Sequence, residues 1–307
     1  MINIGMKGFL RLQCVNRFSG KITQDTGWFP NTILTAGRNI MADFNFTTYC
    51  QVGTNSTVPT ANDTTLPGYI DGTSNIVAQS DGQSGSAPYY GWKRKTFRIA
   101  PGLIGGENLQ EAGIGWAVSG ATLISRALIL DPILQTPTVI TPLVDEFLDV
   151  SYELRYYSPT VDVVGPQVVL DGVTYNTLTR AANVSGAFWS NYIGEKIGVY
   201  AHKDYWVSYD GDIGTVLTGP SGVGKVCDGA GQFNSAYNSN SYEVKMTCPA
   251  GATAWNQDIR SILISTRAGQ FQTQFNAVGT VDPLGKIPKN TNYAMLMEWT
   301  IGWTALT

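Results

Sequence analysis

The stretch Leu148–Tyr157 reads LDVSYELRYY and decides the fold class. Its apolar and aromatic residues fall at every second position: Leu148, Val150, Tyr152, Leu154 and Tyr156. Because successive side chains on a β-strand point to opposite faces, this spacing predicts a strand with one buried face. The intervening side chains, which are mostly charged or hydroxylated, then form a face that is wet or bonded to a partner.

Three further strand candidates precede this one. Leu123–Leu130 ends at Asp131-Pro132, because proline has no N–H to give to a ladder. Val139–Val144 contains a proline and is expected at a sheet edge, and Ile114–Val118 alternates. The short polar links, without a helix-length periodic segment, predict an antiparallel meander and argue against βαβ units. The predicted fold class is all-β, an antiparallel β-sandwich.

The first hundred residues add one helix and a long polar segment. Lys7–Phe18 and Lys21–Thr26 alternate around a turn and predict an opening hairpin. Ile33–Phe44 carries apolar residues on one helical face and predicts one short helix near the N-terminus. Residues 54–88 form a polar loop that either orders against a neighbouring subunit or is a plain surface loop. Tyr89–Ile99 returns to strand.

Short motifs in this part of the chain carry a resemblance. They are QVGTNSTVP at Gln51–Pro59, DTTL at Asp63–Leu66, EAGIG at Glu111–Gly115, LISRALI at Leu123–Ile129 and DEFLDVSYELRY at Asp145–Tyr156. Together they resemble a family of virion structural proteins of tailed bacteriophages, of tail sheath, collar or fibre-anchoring type. The resemblance implies a structural, oligomeric and non-enzymatic role, with other virion tail proteins as partners.

The domain organisation follows from a shift in composition after Ser158-Pro159 towards Gly, Tyr, Asn and Ser. Residues 1–160 are predicted as a β-sandwich assembly domain and residues 161–261 as a second, inserted β domain. Within the latter, Val168–Tyr175 predicts a hairpin through its Asp-Gly turn. Because the resemblance resumes towards the C-terminus, residues 262–307 are predicted as strands that return to the first domain.

The composition favours a homo-oligomer over a soluble monomer with a polar surface. Only 14% of the 307 residues are charged, whereas about a quarter is usual for globular proteins. Aromatic residues reach 11%. Interface cores are likewise depleted in charge and rich in aromatic side chains.

The charge balance and the amino terminus limit partners and location. A net charge of −3 gives no reason to expect nucleic acid or an anionic membrane as a partner. The chain begins MINIGMKGFLRLQCVNRF, without the apolar run of a signal peptide, and no stretch approaches the roughly 20 apolar residues of a membrane span. We therefore expect the chain to stay in the cytoplasm where it is made, without membrane insertion. The resemblance implies assembly in the host cytoplasm and the virion tail as the final location.

Gly219–Lys225 reads GPSGVGK and fits the phosphate-loop pattern G-x-x-x-x-G-K. However, Val226 stands where that loop needs Ser or Thr for magnesium, and two glycines follow where a helix should begin. The segment is predicted to be a glycine-rich loop between strands, without a bound nucleotide.

One basic cluster lies on the strand at Tyr89–Ile99; its members are Lys93, Arg94, Lys95 and Arg98. It could contact phosphate groups, or it could be a strand face that meets acidic residues such as Asp145, Glu146 or Asp149. The second interpretation is favoured, because nucleic-acid footprints normally form a broad basic stripe.

Metal ligands and catalytic groups are sparse. The cysteines are Cys14, Cys50, Cys227 and Cys248, and His202 is the single histidine, so no zinc pattern arises. Four reduced thiols are expected, with a bond between Cys227 and Cys248 as the alternative. Asp210–Gly214 is predicted as a turn in preference to a calcium loop.

Two acid–aromatic neighbours deserve a test, Glu298 beside Trp299 and Asp204 near Tyr205-Trp206. Such pairs could serve a glycosidase or stack on sugar, but core packing is favoured for both. No catalytic, cofactor-binding or metal-ligating residue is assigned.

The sequence thus predicts a non-enzymatic structural component of a tailed-phage virion that assembles as a homo-oligomer in or around the tail. The alternative is a receptor-binding, fibre-type adhesin whose residues 161–261 contact host surface glycan. A polysaccharide-degrading enzyme is a further rival.

Overall fold

The computed structural model describes residues 1–43, 45–197, 205–226, 234–238, 241–250, 256–278 and 285–306. The chain is nearly all β, with 50% of its residues in strands and 3% in helix. Its sheets are mostly antiparallel and sandwich-like, and the described part holds one short α-helix. The predicted all-β fold class is confirmed.

The elements are numbered in chain order. The first half contains β1 (Ile2–Asn16), β2 (Ile22–Asp25), β3 (Phe29–Pro30), β4 (Thr32–Ile33), helix α1 (Thr35–Ile40), β5 (Tyr49–Gly53), β6 (Tyr69–Thr73), β7 (Ile76–Gln83), β8 (Tyr90–Ile99), β9 (Glu111–Gly115), β10 (Leu123–Leu128) and β11 (Glu146–Tyr157). The second half contains β12 (Val163–Val164), β13 (Val168–Leu170), β14 (Val173–Ala182), a 3-10 turn (Ala187–Trp189), β15 (Tyr205–Tyr209), β16 (Gly224–Val226), β17 (Asn234–Tyr237), β18 (Glu243–Ala250), β19 (Ser261–Thr266), β20 (Gly269–Ala277) and β21 (Met295–Ala305).

These strands form three sheets. The large sheet has the order β17-β18-β21-β1-β11-β8-β7, with β2 and β3 also paired to β1. The middle sheet has the order β4-β10-β9-β5-β6. The end sheet has the order β12-β14-β20-β19-β15-β16, with β13 paired to β14.

Strand β11 lies inside the large sheet and pairs antiparallel with β1 and β8 along most of its length. Its even-numbered side chains, from Leu148 to Tyr156, are buried in one hydrophobic core. The same core includes Val52 and Ile114 of the middle sheet and Phe271 of the end sheet. Both smaller sheets therefore pack on the face of the large sheet that carries these side chains, which we call the inner face.

Helix α1 is shorter than the predicted segment Ile33–Phe44, and Phe44 lies outside the described residues. It packs closely on β10 through Gly37, where a Cβ atom would lie only 2.3 Å from Ile124 Cα. A residue without a Cβ is therefore needed at this crossing.

The predicted meander over residues 111–157 is wrong. Strands β9 and β10 pair in the middle sheet, whereas β11 belongs to the large sheet, so the intervening chain crosses between sheets. Val139–Val144, predicted as an edge strand, makes only an isolated bridge from Ile140 to Leu109. Prolines in this stretch remove N–H groups that a ladder would need.

The predicted long loop at residues 54–88 is wrong in its second half, which contains β6 and β7. The two predicted hairpins are confirmed. Strands β1 and β2 pair, and Leu170 pairs with Val173 around Asp171-Gly172, which have φ angles of 50° and 78°. Both angles suit the tight turn that Asp-Gly favours.

Strand pairing does not follow the predicted ranges 1–160, 161–261 and 262–307. Strands β17 and β18 lie in the second range but extend the large sheet. Strand β20 lies in the third range but pairs with β14 of the end sheet. The expected return of the last strand does occur, because β21 pairs in parallel with β1 through Ile301 and Ile2.

A buried charge cluster fixes residues 54–68 on the middle sheet. The guanidinium of Arg126, which is 1% exposed, donates to Glu111 at 2.8 Å, to the Thr57 carbonyl at 2.8 Å and to Asp63. Glu111 is fully buried, and its other oxygen accepts the Gly68 N–H at 2.8 Å. These bonds tie a polar segment that has no regular structure to two neighbouring strands.

We expect Arg126→Met to lower the free energy of unfolding by about 3–5 kcal/mol, because it leaves Glu111 buried without its counter-charge. Urea denaturation at a fixed protein concentration measures this change. Lys245→Met is the control: it breaks an ion pair with Glu298 whose side chains are both 48% exposed, and it should cost less than about 1 kcal/mol. Equal losses in the two variants would contradict the role given to Arg126.

Candidate assembly interface

Large apolar side chains point into solvent along the chain between β10 and β11. We call residues 131–144 the apolar loop. Its most exposed members are Ile133 at 86%, Leu134 at 71%, Leu143 at 56% and Val144 at 72%. Single exposed apolar residues are common on proteins, whereas large contiguous apolar patches are the ones associated with interaction sites.

Hydrogen bonds hold the tip of the apolar loop in one conformation. The Asp131 carboxylate accepts the N–H groups of Ile133 at 2.8 Å and Leu134 at 2.7 Å, and these bonds lower the pKa of Asp131. The Asp131 N–H donates to the Thr136 carbonyl at 2.8 Å. The two exposed side chains are therefore presented by a closed, bonded turn.

The other end of the apolar loop is anchored to the sandwich. Ile140 is 2% exposed and pairs with Leu109, and the Leu143 N–H donates to the buried Glu146 carboxylate at 2.9 Å. Leu103, which is 63% exposed, lies in the adjoining turn, where a Cβ on Gly105 would come within 2.8 Å of the apolar loop. A second turn thus adds apolar surface beside the first.

The opposite face of β11 contributes a second surface, which we call the outer face of the large sheet. Here charged side chains pair across strands. Arg98 donates to both oxygens of Asp149, at 2.6 and 2.7 Å, while Arg94 and Arg155 both bind Glu153. Because these side chains lie opposite the inner face, neither smaller sheet covers them.

Aromatic rings lie beside these arginines on the outer face. The Arg94 guanidinium is 4.6 Å from the ring centre of Trp28, and that of Arg155 is 4.2 Å from the ring centre of Phe9. All four side chains are only partly buried. Arginine and aromatic residues are the types most enriched in protein interfaces and their energetic hot spots.

Strand β7 is the edge of the large sheet, and no described strand pairs with its outer side. Ile76 is 39% and Val77 44% exposed there. An open edge of this kind offers main-chain groups for pairing with another chain. It lies within residues 54–88, for which the sequence left two interpretations open: order against a neighbouring subunit, or a plain surface loop.

The predicted basic cluster divides between the two faces of β8. Lys93 and Lys95 point to the inner face: Lys93 donates to the Asn191 carbonyl at 3.0 Å, and Lys95 to the Thr47 carbonyl at 2.8 Å. Arg94 and Arg98 point outward and bind acids of β11, including the predicted partner Asp149. The four side chains therefore form no continuous basic surface.

The segment at Gly219–Lys225 lacks the geometry of a phosphate loop. Its last two residues begin β16, and Lys225 donates to the Asn256 carbonyl, so no helix starts at the lysine. The preceding loop is fixed by Gln272, which is fully buried and bonds the main chain at Gly214 and Thr215. This arrangement agrees with the predicted glycine-rich loop between strands.

The remaining candidate groups are structural or lie outside the described residues. Asp212 binds Arg260 at 2.7 Å, which ties the predicted turn to the end sheet, and no described group of His, Cys, Asp or Glu could hold a metal. Cys14, Cys50 and Cys248 are buried free thiols. The predicted partner Cys227 lies outside the described residues, as do His202 and Asp204.

The two tryptophans of the acid–aromatic pairs pack against one hydrophobic cluster, Trp206 fully and Trp299 partly buried. Trp206 is 2% exposed, and Trp299 packs against the same hydrophobic cluster. Glu298 instead points to solvent and binds Lys245. Core packing is thus the role that the structure gives to both rings.

Two features of the structure were not predicted from the sequence. The exposure of Ile133 and Leu134 is signalled only by their position directly after Asp131-Pro132, a turn-forming pair. The link between Glu111 and Arg126 has a weaker signal, since each is the lone charge in an apolar strand.

Comparison of the chain with known protein families, curated proteins and solved structures gives no significant match. Among the described residues, no helix is both long and apolar enough to cross a bilayer.

We expect the buried amine of Lys95 to make stability depend on pH. Burial, with a smaller effect from Lys93, lowers the pKa of Lys95 to about 8, and Glu195 opposes the shift. Between this value and about 10.4, the pKa of an unfolded lysine, the unfolded chain binds more protons, so Lys95 becomes less destabilising as pH rises.

Lys95→Met removes this titration, as does Lys95→Arg, whose guanidinium stays charged. The free energy of unfolding of the wild type, relative to that of either variant, should therefore increase by roughly 2 kcal/mol between pH 8 and pH 10. Urea titrations at each pH measure the gain. Thiol and tyrosine ionisations occur in all three proteins and cancel in the difference. Parallel curves would contradict the prediction.

Proposed function

We propose that this protein is a non-enzymatic structural component of a tailed-phage virion, assembling as a homo-oligomer in or around the tail. The observation that carries the proposal is the apolar loop, whose large side chains are held rigidly in solvent. Full burial of a Leu or Ile side chain contributes about 1.5–3 kcal/mol. A neighbouring subunit that covers Ile133 and Leu134 would gain this energy without having to order the turn first.

Two further features support assembly. The outer face has the arginine and aromatic composition of an interface core, and the open edge of β7 supplies main-chain groups for strand pairing. Other tail proteins of the virion are the proposed partners of any such surface that sister subunits leave uncovered. Nucleic acid is not a proposed partner, because the basic cluster is divided between two faces and bonded internally.

The motifs that carry the family resemblance support a shared scaffold. Asp63, Glu111 and Arg126 come from three of these motifs and meet in one buried charge cluster. The motif that ends at Tyr156 forms β11, on which both smaller sheets pack. The resemblance therefore rests on residues that build the sandwich, which is what a structural role requires.

We expect the wild-type chain to form a defined homo-oligomer and Ile133→Ser/Leu134→Ser to weaken its association at least tenfold, since about 1.4 kcal/mol corresponds to a factor of ten. Sedimentation equilibrium over a range of concentrations measures both. The matched control is Val161→Ser/Val164→Ser, whose parent side chains are 76% and 79% exposed elsewhere on the surface. A monomeric wild type, or equal weakening in both variants, would overturn the proposed assembly site.

The place in the virion is tested separately, by the copy number and position of this chain in imaged particles. Saturable glycan binding by the isolated protein would favour the adhesin, in which residues 161–261 contact the host surface. Release of reducing sugar that one carboxylate substitution abolishes would overturn the non-enzymatic role.

A further inference from the structure

A cavity of about 480 Å³ lies between the large sheet and the end sheet. Strand β21 forms one wall, and strands β14, β19 and β20 form the other. The cavity is distant in sequence from the apolar loop, and nothing inferred for it depends on the proposed assembly.

The walls of the cavity are aliphatic and aromatic. Their main side chains are Trp206, Ile262, Ile264, Phe275, Met297 and Trp299. Methionine is unbranched and adapts its shape to a guest, so the wall that carries Met297 can adjust to the occupant. A water-filled cavity would need polar partners for each water, which side chains of this kind do not supply.

Three hydroxyl groups in the lining are already bonded to protein atoms. Thr179 and Thr273 share a hydrogen bond of 2.9 Å, and Thr177 donates to the Pro166 carbonyl at 2.9 Å. A sugar or another polyol would lose its bonds to water on entry and find few replacements, which disfavours binding. The chemistry of the walls therefore selects an apolar guest.

The size of the cavity and its opening narrow the choice of guest. At about 30 Å³ for a water-sized group, the volume holds on the order of sixteen methylenes. Met1, Lys245 and Glu298 belong to the lining and are exposed, so they mark a solvent opening where a polar head group can stay hydrated. The ion pair of Lys245 with Glu298, at 2.6 Å, makes this rim polar.

We propose that this cavity binds the unbranched hydrocarbon chain of an amphiphile, with its head group at the rim between Lys245 and Met1. Each buried methylene contributes about 0.8 kcal/mol, so affinity should rise roughly fourfold per methylene. The rise should stop when the hydrocarbon fills the cavity, on the order of sixteen carbons.

The test is a calorimetric titration of the whole protein with straight-chain fatty acids of roughly six to twenty carbons, below their micellar concentrations. Ile262→Trp and Met297→Trp fill the cavity from opposite walls, and each adds roughly two water-sized volumes. In each variant, affinity should therefore stop rising at a fatty acid about two carbons shorter than in the wild type. Partial unfolding would weaken binding at every length and would not shift the fatty-acid length at which affinity stops rising. Val169→Trp is the control, since Val169 is 64% exposed beside the lining residue Val168 and should leave that length unchanged.

A brominated fatty acid locates the bound chain, because bromine quenches nearby indoles. Quenching should fall in Trp206→Phe/Trp299→Phe, the two tryptophans that line the cavity. If the protein co-sediments with phosphatidylcholine vesicles and the cavity-filling variants abolish this, the bound hydrocarbon belongs to a membrane lipid. If the protein binds only free fatty acid, the ligand is a soluble amphiphile. Either result supports the site. Absence of saturable binding, or binding that no cavity variant alters, would overturn it.

Discussion

The guanidinium of Arg126 sets a constraint that much of the sandwich must satisfy. A charge with 1% exposure has to be paired, because an isolated buried ion costs far more than folding can supply. Its partners come from β9 and from the segment before β6, so pairing of this one charge places residues 57–68 on the middle sheet. That segment is too polar to be held by hydrophobic burial. Its position in turn fixes where β6 and β7 begin, and hence the free edge of the large sheet.

The second organising feature is the alternation of side chains along neighbouring strands of the large sheet. On β11 it separates the core residues from the acids that bind Arg94 and Arg98. On β8 the same alternation sends two lysines inward and two arginines outward, although all four are close in sequence. A cluster that looks continuous in the sequence is therefore divided by the pleat of the sheet. Of the inner lysines, Lys93 bonds the chain that follows β14 and Lys95 bonds Thr47, whereas the outer arginines bind acids of β11.

The sequence predicts single strands better than it predicts their partners. Alternation marks β11, and the Asp-Gly turn marks β13 and β14, because both signals are local. Sheet membership depends on distant contacts, so the predicted meander failed where the chain crosses sheets after Asp131. The apolar stretch Val139–Val144 resembles a strand, yet N–H groups that donate to the Asp131 and Glu146 carboxylates hold the chain around it in turns. Pairing of Arg126 with Asp63 likewise joins residues that no local pattern relates.

The apolar loop and the cavity present apolar groups in two different ways. The tip of the apolar loop is held by hydrogen bonds to Asp131, so covering it would cost little conformational entropy. The cavity is concave and lined by packed strands, so it suits a thin guest that is flexible before it binds. Binding at either feature would not rely on long-range electrostatic attraction, because the net charge is small and the arginines of the outer face are already paired. Electrostatic steering would then contribute little, and the proposed recognition would depend on the fit and burial of apolar groups.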